Sequence, residues 1–454
     1  MTNVAKKSTK VYRVGTLVYT PAHLLCVSFW IVLGFFSYFL LRWQLVTVVM
    51  PLALKELGAT GAQIGIIIGT IPMLINIMLS PVISTASDRT RTRFGRRMPY
   101  IILSGPLVVF FTILIGWLPE MKDFFSAHIH WMPIDRFMLL LYGTVYILFY
   151  TVNMGVGSTI WYLAPDVIPP EFIGRISAAS SIAGALAGFI FNRFFLRFVP
   201  QYNTWIFTAI GIFFAFMLTG MFFFVKEGEY PPVEPVPQQT GNFICRSANA
   251  IKNFFCDSYS DKLILLFFLG YSLTCVSTKC RGMFNILFAT KDLGLTTGQY
   301  GTIMGYGSLL GLGIAFLSSF WIDRINPLKY YTYIGGLIIL LNVIGYFFAV
   351  DYSSFMIVGL LLVVIYTTQE LCQGKIYVML YPKNKYGQFC SAMSIFLCAI
   401  STVTTWGAGK AVDLFGYRFI FVWDFIFTII ATAVLMKVIH LWKQKQKTEN
   451  NHTQ

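Results

Sequence analysis

The chain has 454 residues, 56% of them hydrophobic and only 12% charged, against roughly 25% charged in an ordinary water-soluble domain. With 43 Phe as well, a soluble fold would have to hide too much apolar surface. The net charge of +15 does not point to nucleic acid, because the basic residues gather in short connections between apolar runs and form no aromatic-interleaved stripe.

The first twenty residues carry Lys6, Lys7, Lys10 and Arg13 without an apolar core, which is not the pattern of a signal peptide. The apolar run that follows, from about residue 22 to 53, is too long for a signal sequence and reads as a first membrane span. A helix needs about 20 predominantly apolar residues to cross a bilayer. That ruler places spans near 24–50, 62–84, 99–118, 137–163, 175–197 and 204–225, then near 262–288, 299–321, 328–350, 354–380, 387–409 and 417–440. The expected fold class is an all-α polytopic membrane protein of about twelve transmembrane helices in two six-helix bundles. The expected segments are an amino-terminal 1–20, a first bundle 21–225, a linker 226–260, a second bundle 261–441 and a tail 442–454. The linker opens Lys226-Glu-Gly-Glu-Tyr-Pro-Pro, charged and Pro-rich.

Lys and Arg set the expected orientation. With the amino terminus inside, the inner connections collect Arg89 to Arg97, Arg175, Lys226 to Lys262, Arg324, Lys329, Lys383 and Lys385, while the outer ones hold only a few such as Lys55, Lys122, Arg136 and Lys291. Both termini are therefore expected in the cytoplasm, in a multi-pass protein of the cell (inner) membrane. The eight cysteines form no CxxC pair and the five histidines are scattered, so no metal site and no cofactor is expected.

An internal repeat marks the halves. Glu56-Leu-Gly-Ala-Thr-Gly-Ala-Gln-Ile-Gly65 lies between the first two spans, and Asp292-Leu-Gly-Leu-Thr-Thr-Gly-Gln-Tyr-Gly301 between spans seven and eight. After the next span, Asp88-Arg89 is answered by Asp323-Arg324. The same signals in the same order are what a duplicated bundle leaves behind.

Between spans two and three the chain reads Ser87-Asp88-Arg89-Thr-Arg91-Thr-Arg93-Phe-Gly95-Arg96-Arg97-Met-Pro99. This resembles the loop signature of the major facilitator superfamily, and the resemblance covers essentially the whole chain. The Arg-Thr-Arg insertion before Gly-Arg-Arg is most similar to the glycoside–pentoside–hexuronide:cation symporters and the sucrose-type carriers. The stretch Asp166-Val-Ile-Pro-Pro-Glu171-Phe-Ile-Gly174-Arg175 resembles the connection after span four in those branches. The resemblance implies two pseudo-symmetric bundles around a central substrate cavity. It also implies a gating role for Asp88, Arg89, Gly95, Arg96 and Arg97, with Asp323 and Arg324 as their echo. One departure stands out: the two span-two acids that bind the coupling cation in melibiose-type members are replaced here by Asn76 and Ser80. Neutral oxygens can help to hold Na+ but cannot carry H+.

An ionisable residue well inside a span costs about 2.5–3.5 kcal/mol on insertion scales. The candidates are Arg42 in span one, Lys279 and Arg281 in span seven, and Glu370 and Lys375 in span ten; Asp424 is expected near the outer surface. Repeat alignment sets Arg42 opposite Thr278, and matching Pro165 to Pro382 sets Asn153 opposite Glu370. The expected substrate-binding set is Arg42, Trp43, Gln44, Asn153, Lys279, Arg281 and Gln373. Glu370 is the expected coupling carboxylate, pairing with Lys279 or Arg281 in one state and assisted by Asn76 and Ser80. The competing reading makes these groups static interhelical pairs or snorkelling side chains.

The expected function is a secondary carrier of a sugar, glycoside or uronide-like sugar acid, coupled to H+ or Na+. The alternative is an organic-anion carrier or exchanger with a non-sugar substrate. A multi-pass enzyme would need paired carboxylates or a His–Asp set, and a primary pump a GxxxxGK[ST] loop; the sequence has none. A lipid bilayer and a small molecule are the expected partners, with no nucleic acid. One chain suffices to build the cavity, so a monomer is expected.

Overall fold

The computed structural model describes residues 11–199, 201–230, 252, 254–322, 324–382 and 385–453. Among them, twelve helices are long and apolar enough to cross a membrane. These are α1 (Pro21–Glu56), α2 (Gly61–Arg89), α3 (Met98–Trp117), α4 (Ile134–Val167), α5 (Pro170–Phe198), α6 (Asn203–Phe224), α7 (Lys262–Asp292), α8 (Thr297–Ser318), α9 (Pro327–Phe348), α10 (Tyr352–Leu380), α11 (Tyr386–Phe415) and α12 (Phe419–Thr448). Each falls on an expected span. The helices overshoot the apolar windows because hydropathy marks only the greasy part of a helix, while its hydrogen-bond ladder continues into polar ends. Hydropathy gives no sign of the hairpin β1 (Tyr12–Val14) and β2 (Leu17–Tyr19), or of the short helix Lys122–His128.

The internal repeat has a physical meaning. Gly58 and Gly294 follow α1 and α7 with φ of 81° and 66°, the left-handed stop that glycine adopts without a Cβ clash. Two residues later, Thr60 and Thr296 cap α2 and α8. Gln63 N–H donates to Thr60 Oγ1 at 3.2 Å and Gln63 Oε1 accepts from Thr60 N–H at 2.8 Å. Gln299 and Thr296 repeat the reciprocal pair at 3.2 and 2.9 Å. Both copies thus encode the same stop-and-start device, a capping box.

Packing divides the chain into two compact units, one of Met1–Leu45, Met78–Gly188 and Gln201–Pro235, the other of Val46–Ile77, Phe189–Pro200 and Val236–Gln454. The division crosses α1, α2 and α5 rather than falling only at the linker. In the first unit α3 packs on α4 and α6, and α1 on α6. In the second, α12 packs on α7 and α9, α8 on α10, and aromatic rings including Phe267, Phe268, Tyr271 and Tyr381 form a core where α7, α10 and α11 meet.

The first part of α2 belongs to this second unit and lies on α11. Gly61, Gly65 and Gly69 recur every four residues, and a Cβ on any of them would collide with Gly409, Thr405 or Asp413 of α11. Small residues at this spacing let two helix backbones touch. Asp413 completes the contact: its carboxylate accepts from Gly61 N–H at 2.5 Å and Ala62 N–H at 2.8 Å, the first amides of α2 that Thr60 does not cover. Thr70 adds a hydroxyl bond to Thr402 O at 2.7 Å. Similarly, Gly301 of α8 meets the backbone of Asn192 in α5. Wide helical turns of the i+5 kind occupy Leu40–Val49, Gly65–Thr70 and Phe191–Phe195, so all three helices crossed by the division carry such a segment. Gly409→Val should lower stability by about 1–3 kcal/mol through overpacking, read as a drop in melting temperature in detergent. An unchanged melting temperature would show that the two backbones do not touch.

Candidate functional site

At the end of the first unit where α2 stops, the chain turns through Thr92–Gly95 and re-enters helix at Met98. Gly95 has φ of 104°, and the Glu227 side chain fills the space where a Cβ would go, so only glycine suits the position. Glu227 accepts from the backbone N–H groups of Arg96, Arg97 and Met98 at 2.9, 2.8 and 2.7 Å. A carboxylate placed over three free amides at a helix start answers both their hydrogen bonds and the helix dipole. Arg96 forks onto Asp166 with contacts of 2.9 and 2.5 Å. Arg97 reaches Asp166 at 3.3 Å, Asp88 at 2.5 Å and the Ser87 hydroxyl. The hydrogen bonds with Asp166 hold the Arg96 guanidinium protonated beyond its ordinary range. Tyr230 donates to Glu227 at 2.9 Å and lies under Arg96, 4.4 Å from ring to guanidinium. Burial, and then the negative charges of Glu227 and Asp166, push its phenol up, so it stays a donor.

This clamp ties α2, α3, α4 and the segment after α6 together. Asp88, Gly95, Arg96 and Arg97 take part as a set; Arg89 and Arg324 are exposed, and Asp323 lies outside the described residues. Glu227 and Tyr230 were not legible as partners, because their segment carries only the charge and Pro content of a linker.

A second polar cluster sits deeper in the first unit. Arg42, on the wide-turn segment of α1, places its guanidinium over the Tyr150 ring at 5.3 Å, with Tyr38 and Tyr146 within electrostatic range. Tyr146, Tyr150 and Asn153 are spaced i, i+4, i+7 and so share one face of α4. They are 0%, 2% and 3% exposed, yet both phenol oxygens and Asn153 Oδ1 have no hydrogen-bond partner among the described residues. More than nine in ten buried polar groups are normally satisfied, so three together beside an arginine are unusual. Gln44 is buried nearby in sequence, whereas Trp43 is 55% exposed and makes no ring contact there.

In the second unit, Lys279 and Arg281 part company. Two residues along an α-helix turn the side chain by about 200°, and the two point to different partners. Lys279 Nζ donates to Ser401 Oγ at 2.8 Å and lies 3.5 Å from Met73 Sδ. Arg281 donates through Nε to Asp424 Oδ2 at 2.6 Å and through Nη2 to Asn342 Oδ1 at 2.6 Å, with Phe421 beneath it at 4.7 Å. Tyr366 donates to the same Asp424 oxygen at 3.2 Å. The structure corrects one expectation here and adds a partner that the sequence did not show. Asp424, set aside in the sequence as lying near the outer surface, is fully buried and paired, because the first turns of α12 are covered by α7 and α9. Arg281 takes its charge partner from α12 and not from Glu370. Glu370 is exposed and has no ion pair or hydrogen bond among the described residues. It sits just before the break in α10 at Cys372, whose N–H bonds back only three residues, to Gln369 O at 3.2 Å. Gln373 donates to Tyr377 Oη at 2.7 Å. Asn76 and Ser80, one turn apart on α2, are half-buried with no hydrogen bonds to described residues.

Asp424→Asn would strand the Arg281 charge and should cost about 3–5 kcal/mol, the usual penalty for breaking a buried pair from one side. Replacing both, as Arg281→Met with Asp424→Leu, should recover most of that stability in thermal unfolding. A double variant as unstable as the single one would mean that the pair does more than neutralise itself.

The profile of the family described as MFS/sugar transport protein matches residues 35–418. A general alpha-glucoside permease of Schizosaccharomyces pombe is 27% identical over 171 residues, 36% of this chain and 30% of the permease, so the match spans less than a third of that relative's length. Among solved structures, a bacterial homolog of the human lysosomal transporter Spinster superposes with a TM-score of 0.65 at 13% identity, covering 92% of this chain and 96% of that one. A bacterial homologue of the iron transporter ferroportin gives 0.63 at 18%, over 91% and 98%. The nucleoside transporter NupG gives 0.59 at 14%, over 93% and 99%. At such identities these share the fold alone, a twelve-helix major facilitator fold. With the profile matching most of its length, the chain belongs to the MFS/sugar transport protein family.

Proposed function

We propose that the protein is a secondary active transporter of a sugar or glycoside, working by alternating access of its two bundles to either side of the membrane. The observation that carries this reading is the cluster of Arg42, Tyr38, Tyr146, Tyr150 and Asn153. A sugar presents hydroxyls that both donate and accept, around a ring whose apolar face suits an aromatic. The cluster offers the complement: a five-donor guanidinium, phenol hydroxyls, an amide oxygen and aromatic faces, with Tyr146 Oη and Asn153 Oδ1 lacking a hydrogen-bond partner among the described residues. The match to an alpha-glucoside permease favours a glucoside among sugars.

A uronide-like acid is the second reading, and Arg42 favours it, since a guanidinium binds a carboxylate through two parallel bonds. It is weaker than the sequence suggests, because Asp424 neutralises one of the three basic groups. Gln44 in the first unit, and Lys279 and Gln373 in the second, are further proposed substrate-binding residues. Glu370 is the proposed coupling group: a carboxylate in the span with no ion pair can exchange a proton as its surroundings change. Asn76 and Ser80 supply neutral oxygens suited to Na+ instead. The excess of Lys and Arg in alternate connections supports cytoplasmic termini in the cell membrane. A single chain supplies both bundles.

Proteoliposomes loaded without substrate and given an inward H+ or Na+ gradient should accumulate radiolabelled maltose or methyl α-glucoside. Glu370→Gln should abolish accumulation while leaving exchange largely intact. Accumulation at the wild-type level in Glu370→Gln would remove that residue from coupling, and no uptake of any sugar or sugar acid would overturn the transport reading itself.

A further inference from the structure

We propose that the amino-terminal hairpin is a strap: it grips the segment after α6 and so holds Glu227 on the first amides of α3. The strap stands on the geometry of the clamp and not on the identity of the substrate.

The hairpin is built to form but not to stand alone. Tyr12–Val14 and Leu17–Tyr19 pair antiparallel, with Tyr12 opposite Tyr19 and Val14 opposite Leu17, which leaves Gly15 and Thr16 as a two-residue turn. Gly15 has φ of 54°, and among the described residues only glycines have positive φ. A positive φ at the first turn position alone is the type II′ pattern, whose twist matches that of the paired strands. An isolated two-stranded hairpin is at best marginally stable in water, so this one must lean on its surroundings. Tyr19, at the open end, is 2% exposed and meets His23 of α1 at 5.1 Å. Tyr12, paired with it, meets Phe172 of α5 edge-on at 5.1 Å. The turn reaches the segment after α6, where Thr16 Oγ1 accepts from Glu229 N–H at 2.8 Å. Gly228 lies so close that an added Cβ would come within 2.8 Å of the same hydroxyl and 3.4 Å of Leu17.

That segment needs holding. Residues 226–230 form neither helix nor strand, yet Glu227 must stay over Gly95 with the N–H groups of Arg96, Arg97 and Met98 aimed at it. A stretch without its own hydrogen-bond ladder keeps such a place only where other contacts fix it. Tyr230 fixes one side, through its bond to Glu227 and the ring face under Arg96. Thr16 fixes the other, holding the backbone two residues beyond Glu227. Hairpin, α1, the start of α5 and the clamp all belong to the first unit. Thr16 is therefore a positioning residue that acts on the α3 amides through Glu227, and whatever loosens the hairpin loosens the clamp.

Hydrogen exchange at the N–H groups of Arg96, Arg97 and Met98 tests this on the purified full chain with no substrate present. Thr16→Val keeps the shape and removes the acceptor. It should speed these amides about fivefold, the factor expected for the net loss of one hydrogen bond. Thr16→Ser keeps the hydroxyl and should exchange as slowly as the wild type. Gly15→Val no longer fits the turn and should speed the same amides, so a folding failure in one variant leaves the other to decide. Glu227→Ala should speed them further, and adding Thr16→Val to it should change nothing more, because the path through Glu227 is already cut. Unchanged exchange in both Thr16→Val and Gly15→Val would overturn the strap. So would Thr16→Ser exchanging as fast as Thr16→Val, or an added effect of Thr16→Val in the Glu227→Ala background. Equal acceleration of amides in α9, the sign of a general loss of stability, would overturn it as well.

Discussion

A polar group placed inside an apolar helix bundle must find its partner within the protein or hold a place for a ligand, because hydrocarbon offers it nothing. This constraint sorts the unusual residues of the chain into two kinds. Arg281 is the first kind: Asp424, Asn342 and the Phe421 ring answer its charge, and Tyr366 supports the carboxylate. The cluster around Arg42 is the second kind. Tyr146, Tyr150 and Asn153 are as deeply buried as any core residue, yet Tyr146 Oη and Asn153 Oδ1 find no hydrogen-bond partner among the described residues, and Tyr150 has the Arg42 guanidinium beside it. Asp424 Oδ1 is likewise without a partner among the described residues, so what sets the Arg42 cluster apart is that its arginine faces phenols and an amide in place of a carboxylate, the arrangement the proposed sugar site rests on.

The backbone obeys the same constraint at helix ends. Every first amide of α2 is answered, by Thr60 from within and by Asp413 from α11, and those of α3 are answered by Glu227. Caps supplied by other segments, as Asp413 of α11 and Glu227 after α6 are, can be withdrawn when those segments move, whereas a cap built into the same helix cannot. The glycine contacts of α2 with α11 bring backbones together without long side chains, so they can part without unpicking interdigitated packing. These are the properties expected of helices that rearrange during a transport cycle.

Much of this was legible in the sequence, for reasons that can be named. The twelve spans follow from apolar run length, since few other forces keep 20 residues apolar. The repeat could be found because Gly58, Thr60 and Gln63 each do a local job that only a few residue types can do. Arg42 and Asn153 stood out by being costly in a span. Tyr146 and Tyr150 did not, because an aromatic in a span reads as packing; their spacing with Asn153 was the signal available. The part Asp424 plays was not legible, because only the packing of α7 and α9 over α12 reveals its burial and its pairing with Arg281. Glu227 was hidden for the opposite reason: nothing local marks a linker carboxylate that caps a helix 130 residues earlier.

The most direct test of the central claim is Tyr150→Phe, measured by thermal unfolding with and without maltose. The change removes one buried oxygen whose polar neighbour among the described residues is the Arg42 guanidinium, and it keeps the ring under Arg42. A hydroxyl reserved for a ligand is dispensable to the empty protein, so the melting temperature without sugar should hold or rise. Sugar at about 100 times its dissociation constant should stabilise the wild type by about 2.7 kcal/mol and the variant far less. A variant that melts lower when empty, yet gains as much from the sugar as the wild type does, would contradict the account.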